Sequence, residues 1–161
     1  MTGRLPPALA LLAALAAPAP AAPPEPDGYR MDDFRAPVPA TLAGAAVLDT
    51  AAAEALWRDG GAVFIDVLPR APKPANLGPG VIWRDRPHDS IPGAIWLPNA
   101  GYGALHPAMD AWFREALTRA TGGDPDRPLV FFCLMDCWMS WNAARRALTE
   151  YGHARVYWYP E

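Results

Sequence analysis

Cys133 and Cys137 are the two cysteines of the 161-residue chain, and three residues separate them. A thiol is nucleophilic only as its thiolate, and two thiols four positions apart on a loop reach disulfide geometry if the loop curls. Residues 129–132, Leu-Val-Phe-Phe, form an apolar, aromatic and β-branched run that predicts a strand buried on both faces, with Cys133 at its carboxyl end. From Ser140 the period changes. Trp141, Ala144, Leu148 and Tyr151 recur at three to four residues, Ser140 stands as N-cap, and Gly152 is placed to stop the helix. The residues between, Leu134, Met135, Asp136, Cys137, Trp138 and Met139, turn the chain from strand to helix and aim backbone N–H groups at Cys133, in the field of the helix N-terminus. Such a field lowers a thiol pKa without a metal. Three uses of the pair stay open: a working thiol as persulfide carrier or reversible dithiol, a structural bridge, or half of a soft metal site suited to copper(I) better than zinc.

Other residues compete with these for roles. Asp136, between the thiols, either takes protons during exchange or simply caps the loop. Trp138 and Trp141 either offer flat faces to a quinone or partner side chain or belong to the core, Trp141 lying on the apolar stripe. Arg84, Arg86 and His88 lie in residues 69–92, which hold six prolines and no helical period; they either reach over the site to bind an anion or stay in solvent. Asp66 ends a second apolar run, residues 62–67, as a structural or a functional acid.

The elements that must position these groups follow in order. Residues 1–21 open with Arg4, continue as an apolar run over 9–17 and end in Ala19-Pro20-Ala21, the pattern of a cleaved secretory signal, too short to be a permanent anchor. The expected address is the periplasm, where a cysteine pair favours the disulfide. Residues 22–40 form a proline-rich arm, either a plain linker or packed through Tyr29, Met31 and Phe34. The domain occupies 41–161: an edge strand over 45–48, a helix capped by Asp49-Thr50 and ended by Gly60-Gly61, the strand ending in Asp66, a turn and strand over 91–98, a helix from His106-Pro107 to about Thr121, the strand before Cys133, the helix after it, and a strand over 155–159. This alternation predicts an α/β parallel sheet with helices on both faces and ligands at the strands' carboxyl ends. A net charge of −3 with scattered arginines excludes a nucleic-acid partner, and no cofactor motif is present.

The string Cys133-Leu-Met-Asp-Cys137-Trp138, with Ile91-Pro-Gly-Ala94 and the Asp66-Val67 strand end, resembles the rhodanese-like family, and within it the PQQ-dependent catabolism-associated CXXCW motif proteins. The resemblance implies a three-layer rhodanese-like domain with a central parallel sheet flanked by helices, a nucleophilic Cys133 in an anion-cradling loop over residues 134–140, and export. It also implies a supporting role beside PQQ-dependent alcohol oxidation, with a sulfur donor, a thiol/disulfide partner, a quinoprotein dehydrogenase or a cytochrome as partner. The chain departs from the family pattern in three places: Leu68 stands where an arginine usually follows Asp-Val, Trp138 or Met139 where the loop arginine belongs, and three residues rather than two separate the cysteines. A second thiol beside a persulfide resolves it to a disulfide with release of sulfide, so Cys137 argues against simple sulfur storage. The other class of function is a non-catalytic docking module with a locked bridge. Rhodanese-like domains continue beyond the last strand into a turn and a helix, and without that cover an apolar surface is expected that a partner could fill.

Overall fold

A computed structural model describes residues 21–84 and 86–161; the expected secretory signal lies outside the described residues except for Ala21. Five strands, β1 (Ala46–Val47), β2 (Val63–Asp66), β3 (Ile95–Trp96), β4 (Leu129–Phe132) and β5 (Val156–Tyr159), form one sheet in the order β1-β5-β4-β2-β3. Every pairing is parallel. Three helices, α1 (Thr50–Asp59), α2 (Pro107–Thr121) and α3 (Trp138–Thr149), alternate with the strands, so the expected α/β architecture is the observed one. None of the described helices is long and apolar enough to cross a membrane.

β4 is central because it is the strand whose four side chains are all apolar and can be buried on either face. Leu129 and Phe131 point with Ile65, Val156 and Trp158 into the larger core beneath α2 and α3. Val130 and Phe132 point with Phe64, Tyr157 and Tyr159 into a smaller core beneath α1. Both faces are therefore covered, two helices on one and a single helix on the other.

Local chemistry sets most helix ends. Asp49 accepts from the Ala52 N–H at 2.8 Å to open α1, and Gly60, at φ 67°, closes it. Pro107 opens α2 behind His106, whose Nδ1 accepts from the Ala108 N–H at 3.2 Å, and α2 buries Phe113 and Leu117 completely.

α3 departs from expectation. It begins at Trp138 with Cys137 as N-cap residue, and Ser140 is not the cap but a fully buried residue of the first turn. The reason is tertiary. The Ser140 hydroxyl accepts from the Trp158 indole N–H at 3.0 Å and donates to the Cys137 carbonyl at 3.1 Å, satisfying a buried indole that has no water to turn to. At the helix start, the Trp138 N–H donates to the Phe34 carbonyl at 2.9 Å.

That carbonyl belongs to the proline-rich arm, which is no plain linker. Arg30 and Asn142 exchange two hydrogen bonds of 3.0 and 2.9 Å between backbone and side-chain amide, and the indoles of Trp138 and Trp141 donate to the carbonyls of Pro37 and Thr41. Tyr29 and Phe34 pack as expected, Tyr29 on Glu150 and Phe34 edge-on to Tyr102; Met31 instead is 62% exposed. The segment after β3 clamps the opposite side of α3. Asn142 also donates to the Gly101 carbonyl, and the buried Arg146 guanidinium donates to the carbonyls of Ala100, Tyr102 and Gly103. Gly101 is needed for closeness: a Cβ there would lie 2.2 Å from the Met139 carbonyl oxygen.

Candidate active site

β4 delivers Cys133 to the carboxyl edge of the sheet, and Cys133 is disulfide-bonded to Cys137 with their Cα atoms 6.2 Å apart. Closing so short a loop forces the chain to reverse. Asp136 supplies the reversal at φ 53°, in the left-handed region that Asp tolerates better than most side chains. Leu134 and Met135 then protrude, 47% and 64% exposed, beside the bridge.

The two sulfurs occupy unlike places. Cys133 is half-buried and lines a cleft of about 270 Å³ together with Asp66, His88, Ser90, Leu134 and Tyr159. Cys137 is 2% exposed, and Arg35 of the arm pairs with it in an antiparallel bridge. Cys137 is the N-cap residue of α3, so the helix N-terminus adjoins Cys137 and the Cys133 sulfur bonded to it, and α3 begins three residues earlier than its apolar period suggests.

Of the residues expected around the nucleophile, three are out of reach. Trp138, Met139 and Ser140 are 3%, 1% and 0% exposed, their side chains committed to the core and the arm; Trp138 packs edge-on against the fully buried Trp141 at 5.5 Å. Neither indole lines the Cys133 cleft; Trp138 instead borders a hollow formed by the arm. Leu134, Met135 and Asp136 are exposed around the bridge. Arg84 is exposed, and Arg86 lines a neighbouring hollow with His88 and Trp96 rather than the Cys133 cleft. His88 lines both.

Next to β4, β2 ends in Asp66, 3% exposed, and its carboxylate accepts three hydrogen bonds: from the Leu68 N–H at 2.9 Å, the Ser90 hydroxyl at 2.5 Å and His88 Nε2 at 2.8 Å. The His88 ring stacks on Trp96, centroids 4.1 Å apart at 20°, and the Trp96 indole donates to the Leu68 carbonyl at 2.8 Å. A carboxylate can only accept, so Nε2 carries the proton and, in the neutral ring, Nδ1 holds the lone pair. Neither Ser90 nor the pairing of Asp66 with His88 is legible in the sequence, because Asp66 and His88 stand 22 positions apart across a stretch without periodicity. The signal available was the buried-strand run closing on an acid, which demands a hydrogen-bonding partner from somewhere.

The site thus combines a half-exposed sulfur, a buried partner sulfur at a helix start, and an oriented imidazole at the rim of the same cleft. Comparison with protein-family models, with curated proteins and with solved structures finds no match to this chain, so these residues stand on their own geometry.

Proposed function

We propose that the chain is an exported, rhodanese-like thiol/disulfide protein whose Cys133–Cys137 bridge exchanges electrons with a partner thiol. The observation that carries this reading is the asymmetry of the bridge: Cys133 opens to a cleft while Cys137 is buried at the cap of α3. A partner thiolate attacks the Cys133 sulfur, the S–S bond breaks, and Cys137 departs as a thiolate that the helix dipole stabilises; a leaving thiol of lowered pKa leaves faster. A second partner thiol then attacks the partner's own sulfur in the mixed disulfide and frees Cys133. Two electrons and two protons pass from partner to bridge, and the reverse sequence oxidises a partner dithiol. A persulfide on Cys133 would be attacked by the neighbouring Cys137 thiol, closing the bridge and releasing hydrosulfide, which favours exchange over sulfur storage.

Leu134 and Met135 provide an apolar landing beside the reactive bond for a protein partner. The secretory pattern of residues 1–21 supports a periplasmic address, and the CXXCW resemblance supports a role in the upkeep of a PQQ-dependent dehydrogenase or its cytochrome. A second reading, a docking module with a locked bridge, draws on the burial of Cys137 beneath the arm.

Graded reduction of the oxidised full chain, followed by alkylation and mass spectrometry, decides between them. Exchange predicts opening by millimolar reductant with Cys133 alkylated first. A bridge untouched by millimolar reductant establishes the docking module instead.

A further inference from the structure

We propose that His88, oriented by Asp66 and by the face of Trp96, is the acid–base residue of the cleft, taking the proton of the thiol that attacks Cys133. The inference rests on the exchange reading and adds to it a residue from outside the cysteine loop. Its basis is geometric. His88 lines the cleft that holds Cys133, its Nε2 is tied to a carboxylate that is itself fixed by two further donors, and its ring is stacked at 4.1 Å on an indole held by the Leu68 carbonyl. A surface histidine satisfied by water has no use for such a frame. A base that must keep one tautomer does.

The chemistry calls for such a group. An ordinary thiol has a pKa of about 8.5, so only about 3% is thiolate at pH 7. The partner S–H proton goes to His88 Nδ1, the partner sulfur bonds to the Cys133 sulfur, and the electron pair of the broken S–S bond leaves on Cys137. The products are a mixed disulfide, a Cys137 thiolate and an imidazolium. The imidazolium is paired with Asp66, the buried acid beside it. The charged and titratable groups facing His88 are Asp66, Asp89, Tyr159 and Glu161 on the cleft side and Arg70 and Arg86 on the side of the neighbouring hollow. Supplying the thiolate is worth at most about 30-fold at pH 7, the inverse of the free thiolate fraction, and nothing once the attacking thiol ionises by itself.

The test is the rate at which glutathione opens the bridge of the oxidised full chain, across about pH 6.5 to 9, in the wild type and in His88→Gln. The amide of Gln keeps a donor for Asp66 but is no base. The expected result is a loss of about tenfold at pH 6.5 that shrinks to within about twofold at pH 9, where the attacking thiolate is plentiful. A uniform loss at every pH, or none, overturns the proposal and leaves His88 a structural residue. The wild type supplies a second measurement that needs no variant: base-assisted attack makes its rate rise less steeply than the unit slope of thiolate attack between about pH 6.5 and 8, and an unbroken unit slope overturns the proposal just as well. The two levels separate cleanly. A wild-type bridge that glutathione cannot open at any pH defeats the exchange reading and this inference together, whereas a bridge that opens readily with parallel pH profiles defeats this inference alone.

Discussion

β2 and β4 run side by side in register, Asp66 opposite Phe132, yet their carboxyl ends are secured by opposite means. β4 ends in a covalent staple between positions four apart, which organises only the residues it encloses. β2 ends in one carboxylate whose partners come from residues 68, 88 and 90, so a single buried acid gathers a proline-rich loop whose described residues form no helix or strand. The stronger bond does the more local task. Loop-closure entropy explains why: a short ring removes little freedom from the unfolded chain, while a buried acceptor stripped of its role leaves three donors unpaired.

The contrast has a numerical form. Asp66→Ala orphans the Leu68 N–H, the Ser90 hydroxyl and the His88 ring, and the expected loss is about 3 kcal/mol, hydrogen bonds to a charged group being worth about 1.5–3 kcal/mol. Urea unfolding would measure it, and hydrogen exchange over residues 69–92 should accelerate while β4 and α3 stay protected. A loss under about 1 kcal/mol with the loop still protected would remove the carboxylate from its place as anchor. Replacing both cysteines by serine should cost less, about 2 kcal/mol, the chain-entropy value for a ring of about five residues. If the double variant falls further than Asp66→Ala in the same urea series, the order of the two ends is reversed, and the bridge holds more of the fold than the residues inside it.

Legibility in the sequence follows the same division between local and distant causes. β4 was readable from Leu129 to Phe132 because four apolar residues bounded by a proline and a cysteine leave few alternatives, and α2 from His106 to Gly122 because cap, proline and terminal glycine act within one turn. The start of α3 lies three residues before the Ser140 cap that the local pattern suggests, because what completes it is the Phe34 carbonyl and the Trp158 indole, neither within reach of a local pattern. The arm was equivocal for that reason too: backbone hydrogen bonds to Asn142, Trp138 and Trp141 leave no periodic trace. At the site the cysteine pair announced itself by type and spacing. Ser90 did not, and His88 gave only its residue type, since a hydrogen bond to Asp66 across a loop of irregular backbone imposes no spacing on the sequence.

The smallest effect concerns His153, a buried histidine that contrasts with the part-buried, Asp66-bound His88. His153 is 8% exposed, follows Gly152 at φ 75°, and its Nδ1 has no hydrogen-bond partner among the described residues. Burial pushes its pKa below the ordinary histidine value of about 6.5 by stripping water from the charged ring. A folded-state pKa below the unfolded one means that the unfolded chain protonates first as pH falls. The stability is therefore complete above about pH 6.5 and is lost as pH descends towards the folded value. His153→Phe should flatten that acid-side slope, by less than about 1 kcal/mol between pH 7.5 and 5, in melting curves of the reduced and the oxidised protein alike. If the acid-side slope survives unchanged in His153→Phe, the buried ring of His153 is not its source, and the loss belongs to another group that the fold desolvates.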